Sequence, residues 1–226
     1  MRIRAIFAVG LALAAVAGVA ACAPEPPTPP PPTTPPPTTT PPPPTKTTNV
    51  GFACTSDSLL LLFTGQAPAT VPQSFPYVVK LSVAPLELTT SSGATTITSF
   101  QNLSLLIAVP AGATLSGPPT LSGGSNLGAG TPSATVLPTG KVQLLIPGPL
   151  TPGSTVTFPT LTFPLLAFGP AGTSLEIKAA GTSNTDPSLT FGIDVVLGGG
   201  FTLNDVPQRC YAPFDPVLSS TTITSL

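Results

Sequence analysis

An all-β, antiparallel sandwich is the fold class this sequence predicts for residues 51–226, and three observations carry that prediction. Apolar residues recur with a period of two along almost every regular segment, the spacing of a strand with one buried face. A short Pro-containing turn recurs between those segments. No stretch of a dozen residues, free of Pro and Gly, sets apolar side chains at i, i+3, i+4 and i+7. Little or no helix is therefore expected beyond the N-terminal leader.

The chain opens with Arg2 and Arg4 ahead of the apolar run from Ala5 to Val19, which ends in small residues. Residues 1–21 read as a signal peptide. The run is shorter and more Ala-rich than the ~20 strongly apolar residues of a bilayer-spanning helix. Ile3 separates the two arginines, so no twin-Arg signal is present. Val19-Ala20-Ala21-Cys22 then places small residues directly before a Cys, and this junction resembles the lipobox of bacterial lipoproteins. In that family the Cys becomes the acylated first residue of the mature chain. The resemblance implies Cys22 as the lipidation site, although Val19 stands where the family most often has Leu. The alternative is ordinary secretory cleavage near Ala21 with Cys22 incidental.

Residues 22–50 read as a disordered stalk behind that Cys. From Pro24 to Thr45 the chain holds 14 Pro, 7 Thr and one Glu. Such a segment buries no apolar surface and favours polyproline II, reaching roughly 70 Å at ~3.1 Å per residue. Its PxxP spacings follow from composition alone. With the lipobox, this Thr/Pro stretch resembles the linkers of exported lipoproteins of mycobacteria and related bacteria, which implies O-mannosylation.

Residues 51–226 follow as a single domain, long enough for one core. Leu59 to Phe63 and Tyr77 to Val83 are the first expected strands. Leu103, Leu105, Ile107 and Val109 alternate next, and Val142, Leu144 and Ile146 repeat the spacing. Val156 with Phe158, then Leu161, Phe163 and Leu165, then Leu175 with Ile177 continue it. Phe191, Ile193 and Val195 follow, and Thr221 to Thr224 close the series. Pro159 and Pro164 imply an edge position or a bulge, because Pro donates nothing to a ladder. Pro110-Ala111-Gly112, Pro170-Ala171-Gly172 and Pro152-Gly153-Ser154 reuse one corner geometry at spacings too unequal for a solenoid. The expected architecture is an antiparallel sandwich of immunoglobulin-like or related type. It also resembles uncharacterised exported β-sandwich families of actinobacteria, which carry no activity to transfer.

Three Cys occur in all. With Cys22 taken by lipid, Cys54 and Cys210 remain as an even pair bracketing the domain. A bridge between them would close a loop of about 157 residues, worth up to ~5 kcal/mol on the chain-entropy model. An oxidising, exported location permits it. Two free thiols outside the cytoplasm are harder to justify, and a metal pair harder still with no His and no third Cys in the domain.

Composition excludes more than it assigns. Only 7% of residues are charged and the net charge is -1, so nothing can be laid along phosphates and nucleic acid is excluded as a partner. Without His the commonest proton shuttle and metal ligand is missing. No catalytic residue, metal site or cofactor is therefore expected, and the protein is read as no enzyme. Lys80 and Lys178 alternate with apolar neighbours and are expected to be solvated, while Thr139-Gly140-Lys141 lacks the context of a phosphate loop. Asp186, Asp205 and Asp215 fall in turn-like segments beside Pro. The ligand-binding residues are unknown from sequence. The uncharged Gly-rich segments Gly117 to Thr131 and Leu197 to Phe201 are the candidates, each weighed equally against a flexible connector.

The functional expectation is an exported, lipid-anchored cell-envelope protein on the outer face of the cytoplasmic membrane. Its domain would be a non-catalytic binding module for an envelope protein, glycan or lipid. The alternative is a carrier of an apolar ligand such as a lipid, prompted by the positive mean hydropathy and the many Leu and Phe. A closely packed core is expected instead of a carrier's cavity.

Overall fold

The computed structural model describes residues 42–226, so the leader, Cys22 and the chain up to residue 41 lie outside the described residues. Among the described residues none is helical. β1 (Thr45–Cys54) and β2 (Ser58–Gln66) form a hairpin in register from Thr45 opposite Gln66 to Ala53 opposite Ser58. The domain thus starts six residues ahead of Gly51, and the segment Thr45 to Val50 is strand where stalk was expected. Its polar Thr-Lys-Thr-Thr-Asn run hid the assignment, but Thr is β-branched and fits a half-buried ladder. Thr48 Oγ1 donates to the Val217 carbonyl at 3.0 Å, and Val50 and Phe52 complete an inward face.

The chain continues through β3 (Thr70–Pro72), β4 (Pro76–Val83), β5 (Leu86–Glu87) and β6 (Ser91–Ser92) into the long β7 (Thr95–Ala108). Short β8 (Ala113–Leu115), β9 (Thr120–Ser122) and β10 (Ser133–Val136) lead to β11 (Val142–Ile146) and β12 (Thr155–Val156). β13 (Thr160–Ala167), β14 (Ser174–Ala179), β15 (Leu189–Val196), β16 (Thr202–Tyr211) and β17 (Val217–Thr224) complete the chain. Hydrogen bonding links them in the order β3-β17-β14-β7-β15-β16-β1-β2-β4-β13-β8, with β6 and β11 also on β7. Every pairing of the described strands is antiparallel except β17 with β3.

This path folds over itself into two facing layers. β17 crosses β1 and β2 so closely that a Cβ on Gly65 would run into the Leu218 carbonyl. Between the layers lies one apolar cluster with Phe52, Phe63, Ile107, Ile146, Phe163 and Leu189 fully buried. Each such side chain contributes roughly 1.5–3 kcal/mol by leaving water. The inward positions of the alternation thus meet in one buried cluster.

Pro164 shows how the sheet accommodates a residue without an N–H. One side of β13 pairs with β4, Pro164 lying opposite Val78. Along its other side β9 stops at Thr162 and β8 begins at Leu165, so Pro164 sits in the gap between two short edge strands. The expected edge position is thus met within a strand that has partners on both sides. The repeated Pro turns also form, Ala113 N donating to Pro110 O and Thr173 N to Pro170 O. Around Pro152-Gly153 the turn slides by one residue, since Ser154 N donates to Thr151 O and Gly153 takes φ +75°.

Candidate functional site

Cys54 and Cys210 are bonded to each other, on directly opposed positions of β1 and β16 with Cα atoms 4.0 Å apart. The bridge closes the only short stretch over which these two strands pair, Ala53 opposite Tyr211 and Cys54 opposite Cys210. Beside it the buried Gln208 accepts hydrogen bonds from Thr55 Oγ1 and Ser56 Oγ, tying the β1–β2 turn to β16. This junction is a brace, with the Gln208 oxygen already accepting two hydrogen bonds.

The two Gly-rich segments differ in how their backbones are anchored. Ser122 pairs opposite Thr160, Ser125 bridges Thr157, and the Asn126 amide donates to Thr155 O at 2.8 Å. Gly128, at φ +75°, lies so close to the Pro149 carbonyl that a Cβ would collide with it, and Gly130 N donates to Gly148 O. The backbone of this segment is anchored and its Asn126 amide is engaged, while Ser122 to Asn126 remain exposed. Leu197 to Phe201 is instead a hairpin tip, closed by Leu197 N to Phe201 O and open around Gly198 and Gly200. Phe201 is 72% exposed there and Leu203 46%.

The charged residues are mostly tied down. Lys178 reaches Asp215 at 2.7 Å and Glu176 at 3.1 Å, so it is ion-paired where a simply solvated side chain was expected. The hydrogen bond to Asp215, then that to Glu176, raises its pKa. Lys141 pairs with Asp186 at 3.2 Å, joining the β10–β11 turn to the β14–β15 connection. Asp186 and Asp215 do sit in turns, Asp215 at φ +45°. Asp205 corrects the expectation: it lies inside β16, at φ +54°, in an irregularity of the β15–β16 ladder. A left-handed residue in mid-strand is a bulge device, which a neighbouring Pro disguises as a turn.

Asp194 was not nominated by any sequence motif, yet it organises that irregularity. Its Oδ2 accepts from Ser99 Oγ and, at 2.7 Å, from Gln101 Nε2, while its Oδ1 accepts from Asp205 N–H at 2.8 Å. The Ser99 hydrogen bond, followed by that from Asp205, lowers its pKa. Register shifts flank it in both ladders, so the carboxylate replaces ladder hydrogen bonds that the bulges remove. These same shifts break the expected regular alternation of Phe191, Ile193 and Val195, of which only Val195 is buried. Tyr77 is a buried residue with a polar tip outside any motif. Its hydroxyl has no hydrogen-bond partner within the described protein, and burial raises its pKa.

An apolar cleft of about 80 Å³ opens beside β5, lined by Leu59, Leu86, Phe100, Leu103 and Phe191, with Glu87 at its rim. Phe100 and Leu103 are three apart, so strict alternation would send them to opposite faces of β7. Asn102, at φ +52°, resets the phase and brings both to the cleft. The Phe100 and Phe191 rings stand 6.1 Å apart in a tilted pair. Beyond Glu87, Leu88 and Thr89 the depression continues over Thr90, Ser91 and Gly153 as an open hollow of about 380 Å³. A third hollow of about 210 Å³, between Lys46, Gly65 and Ser219, is bounded mainly by small and hydroxyl residues. Among the described residues no three Cys, Asp or Glu side chains converge as metal ligands would.

No family model matches the chain, and no curated protein matches it. Two solved structures are similar in part. One, from Corynebacterium diphtheriae, is described as a candidate membrane-anchored protein; it shares 15% identity at a TM-score of 0.43, over 80% of this chain and 38% of its own. The other is a cohesin module of a family 33 glycoside hydrolase from Clostridium perfringens, with 13% identity and a TM-score of 0.24 over 79% of this chain and all of its own. The present chain thus spans well under half of the first protein. Neither likeness carries a functional argument at these scores.

Proposed function

We propose that the protein is an exported, lipid-anchored envelope protein whose domain is a non-catalytic interaction module. The observation that carries this reading is the filled core under a weakly charged exterior. A carrier needs an enclosed apolar cavity of several hundred cubic ångströms, whereas the apolar cleft beside β5 measures about 80 Å³ and opens to solvent. Leu60 on β2, Val78 on β4 and Phe201 at the hairpin tip meanwhile face solvent, surface of the kind that binds partners. The brace between Cys54 and Cys210 supports an oxidising compartment. Cys22 supplies the anchor and the Pro/Thr stalk the distance from the membrane.

The test has two arms. Intact mass of the protein from its native envelope should show an acylated chain starting at Cys22, and Cys22→Ala should release the protein or block its processing. A mature chain that begins elsewhere without lipid ends the anchoring claim. Native mass spectrometry of the delipidated domain should find no retained lipid. A stoichiometric lipid held inside it would replace the interaction module with the carrier.

A further inference from the structure

The cleft beside Glu87 combines an apolar pocket, an adjoining open hollow and a single carboxylate. We propose that it docks an extended peptide segment of a partner protein, taking one aliphatic or aromatic side chain into the pocket and a neighbouring Lys or Arg against Glu87. This rests on the interaction-module reading and names the chemistry of its partner.

Size selects a side chain over a lipid. A cavity of roughly 150 Å³ accepts benzene, so a cleft of about 80 Å³ takes the end of one side chain and is too shallow for an acyl chain. The lining selects apolar character, being Leu59, Leu86, Leu103 and the Phe100–Phe191 pair. The hollow continuing over Thr90, Ser91 and Gly153 leaves room for a backbone to run on from the pocket.

Charge selects the flanking residue. In the 60 residues from 81 to 140, Glu87 is the sole charged side chain. It is exposed, and it takes part in none of the ion pairs among the described residues. A lone carboxylate in so uncharged a neighbourhood attracts a cation and rejects phosphate or carboxylate ligands, which gives specificity more than affinity.

Panning a random heptapeptide phage library on the full mature chain tests the idea, followed by anisotropy titration of the strongest labelled peptide. Enriched peptides should carry Lys or Arg beside Leu, Ile, Met or Phe. Glu87→Lys, an exposed change that leaves the core intact, should weaken the selected peptide about threefold to fivefold and turn a fresh selection towards acidic residues. Phe191→Ser should cost tenfold or more, with circular dichroism confirming that the chain is still folded. No enrichment, or peptides that bind wild type and Glu87→Lys equally, would overturn the proposal. If crosslinking in the native envelope captures a partner that Glu87→Lys leaves undisturbed, the interaction module stands and the cleft is not its docking site.

Discussion

The segments Gly117 to Thr131 and Leu197 to Phe201 hold their glycines in different surroundings. Both are uncharged and Gly-rich. In the first, Gly128 lies against the Pro149 carbonyl and Gly124 against Leu127 and Pro159, so the missing Cβ is a packing requirement at those two positions, while Gly123 between them and β9 is open. In the second, Gly198 and Gly200 have open space around them, and the tip of the β15–β16 hairpin stands clear of the core. A glycine run therefore says that the backbone is unusual, not whether it is packed or free.

The largest change to this contrast should come from the brace at the foot of the β15–β16 hairpin. Removing it with Cys54→Ser and Cys210→Ser should cost about 2–5 kcal/mol of global stability, read as a lower urea midpoint for the double variant. An unchanged midpoint would mean that β1 and β16 are held together without the bridge.

Next in size is the contrast itself. Gly128→Ala combines a left-handed φ with a backbone collision and should destabilise by about 3 kcal/mol. Gly198→Ala should stay within about 0.5 kcal/mol. Thermal melts of the pair decide it, and equal shifts would erase the distinction between packed and free glycines.

Asp194 gives the smallest effect, and one that depends on pH. Its pKa is lowered in the folded protein by Ser99 and Asp205, so it contributes stability that is fully present above the unfolded value of about 3.9. That contribution is lost as the pH falls through the lower folded pKa. Asp194→Asn should cost on the order of 1 kcal/mol at pH 7, and the gap from wild type should shrink in melts taken at progressively lower pH. A gap that stays constant down to pH 2 would place its role in shape and not in charge.

Strands were legible where their cause is local. The alternation of Leu103, Leu105 and Ile107, or of Leu161, Phe163 and Leu165, is a period-two signal that needs no partner to be read, and all six side chains are buried as it requires. β1 was not legible before Gly51, since its Thr-rich half gains a buried side only where β17 crosses it at Thr48. Asp194 and Asn102 escaped notice for a related reason. A bulge is invisible until two strands are aligned and one is found to carry an extra residue.

By itself the sequence determined that the domain is built of strands joined by Pro and Gly turns, that its two cysteines bracket it, and that little charge is available for chemistry. These follow from residue type and near-neighbour spacing. Tertiary structure alone decided that Leu61 and Phe63 enter the core while Leu60 and Leu62 face water, because an unbroken Leu run is read equally well in either phase. It also decided the cleft, whose lining is drawn from Leu59, Leu86, Phe100 and Phe191. Leu59 and Phe191 lie more than a hundred positions apart, and no local pattern records that the tertiary fold will bring all four to one opening.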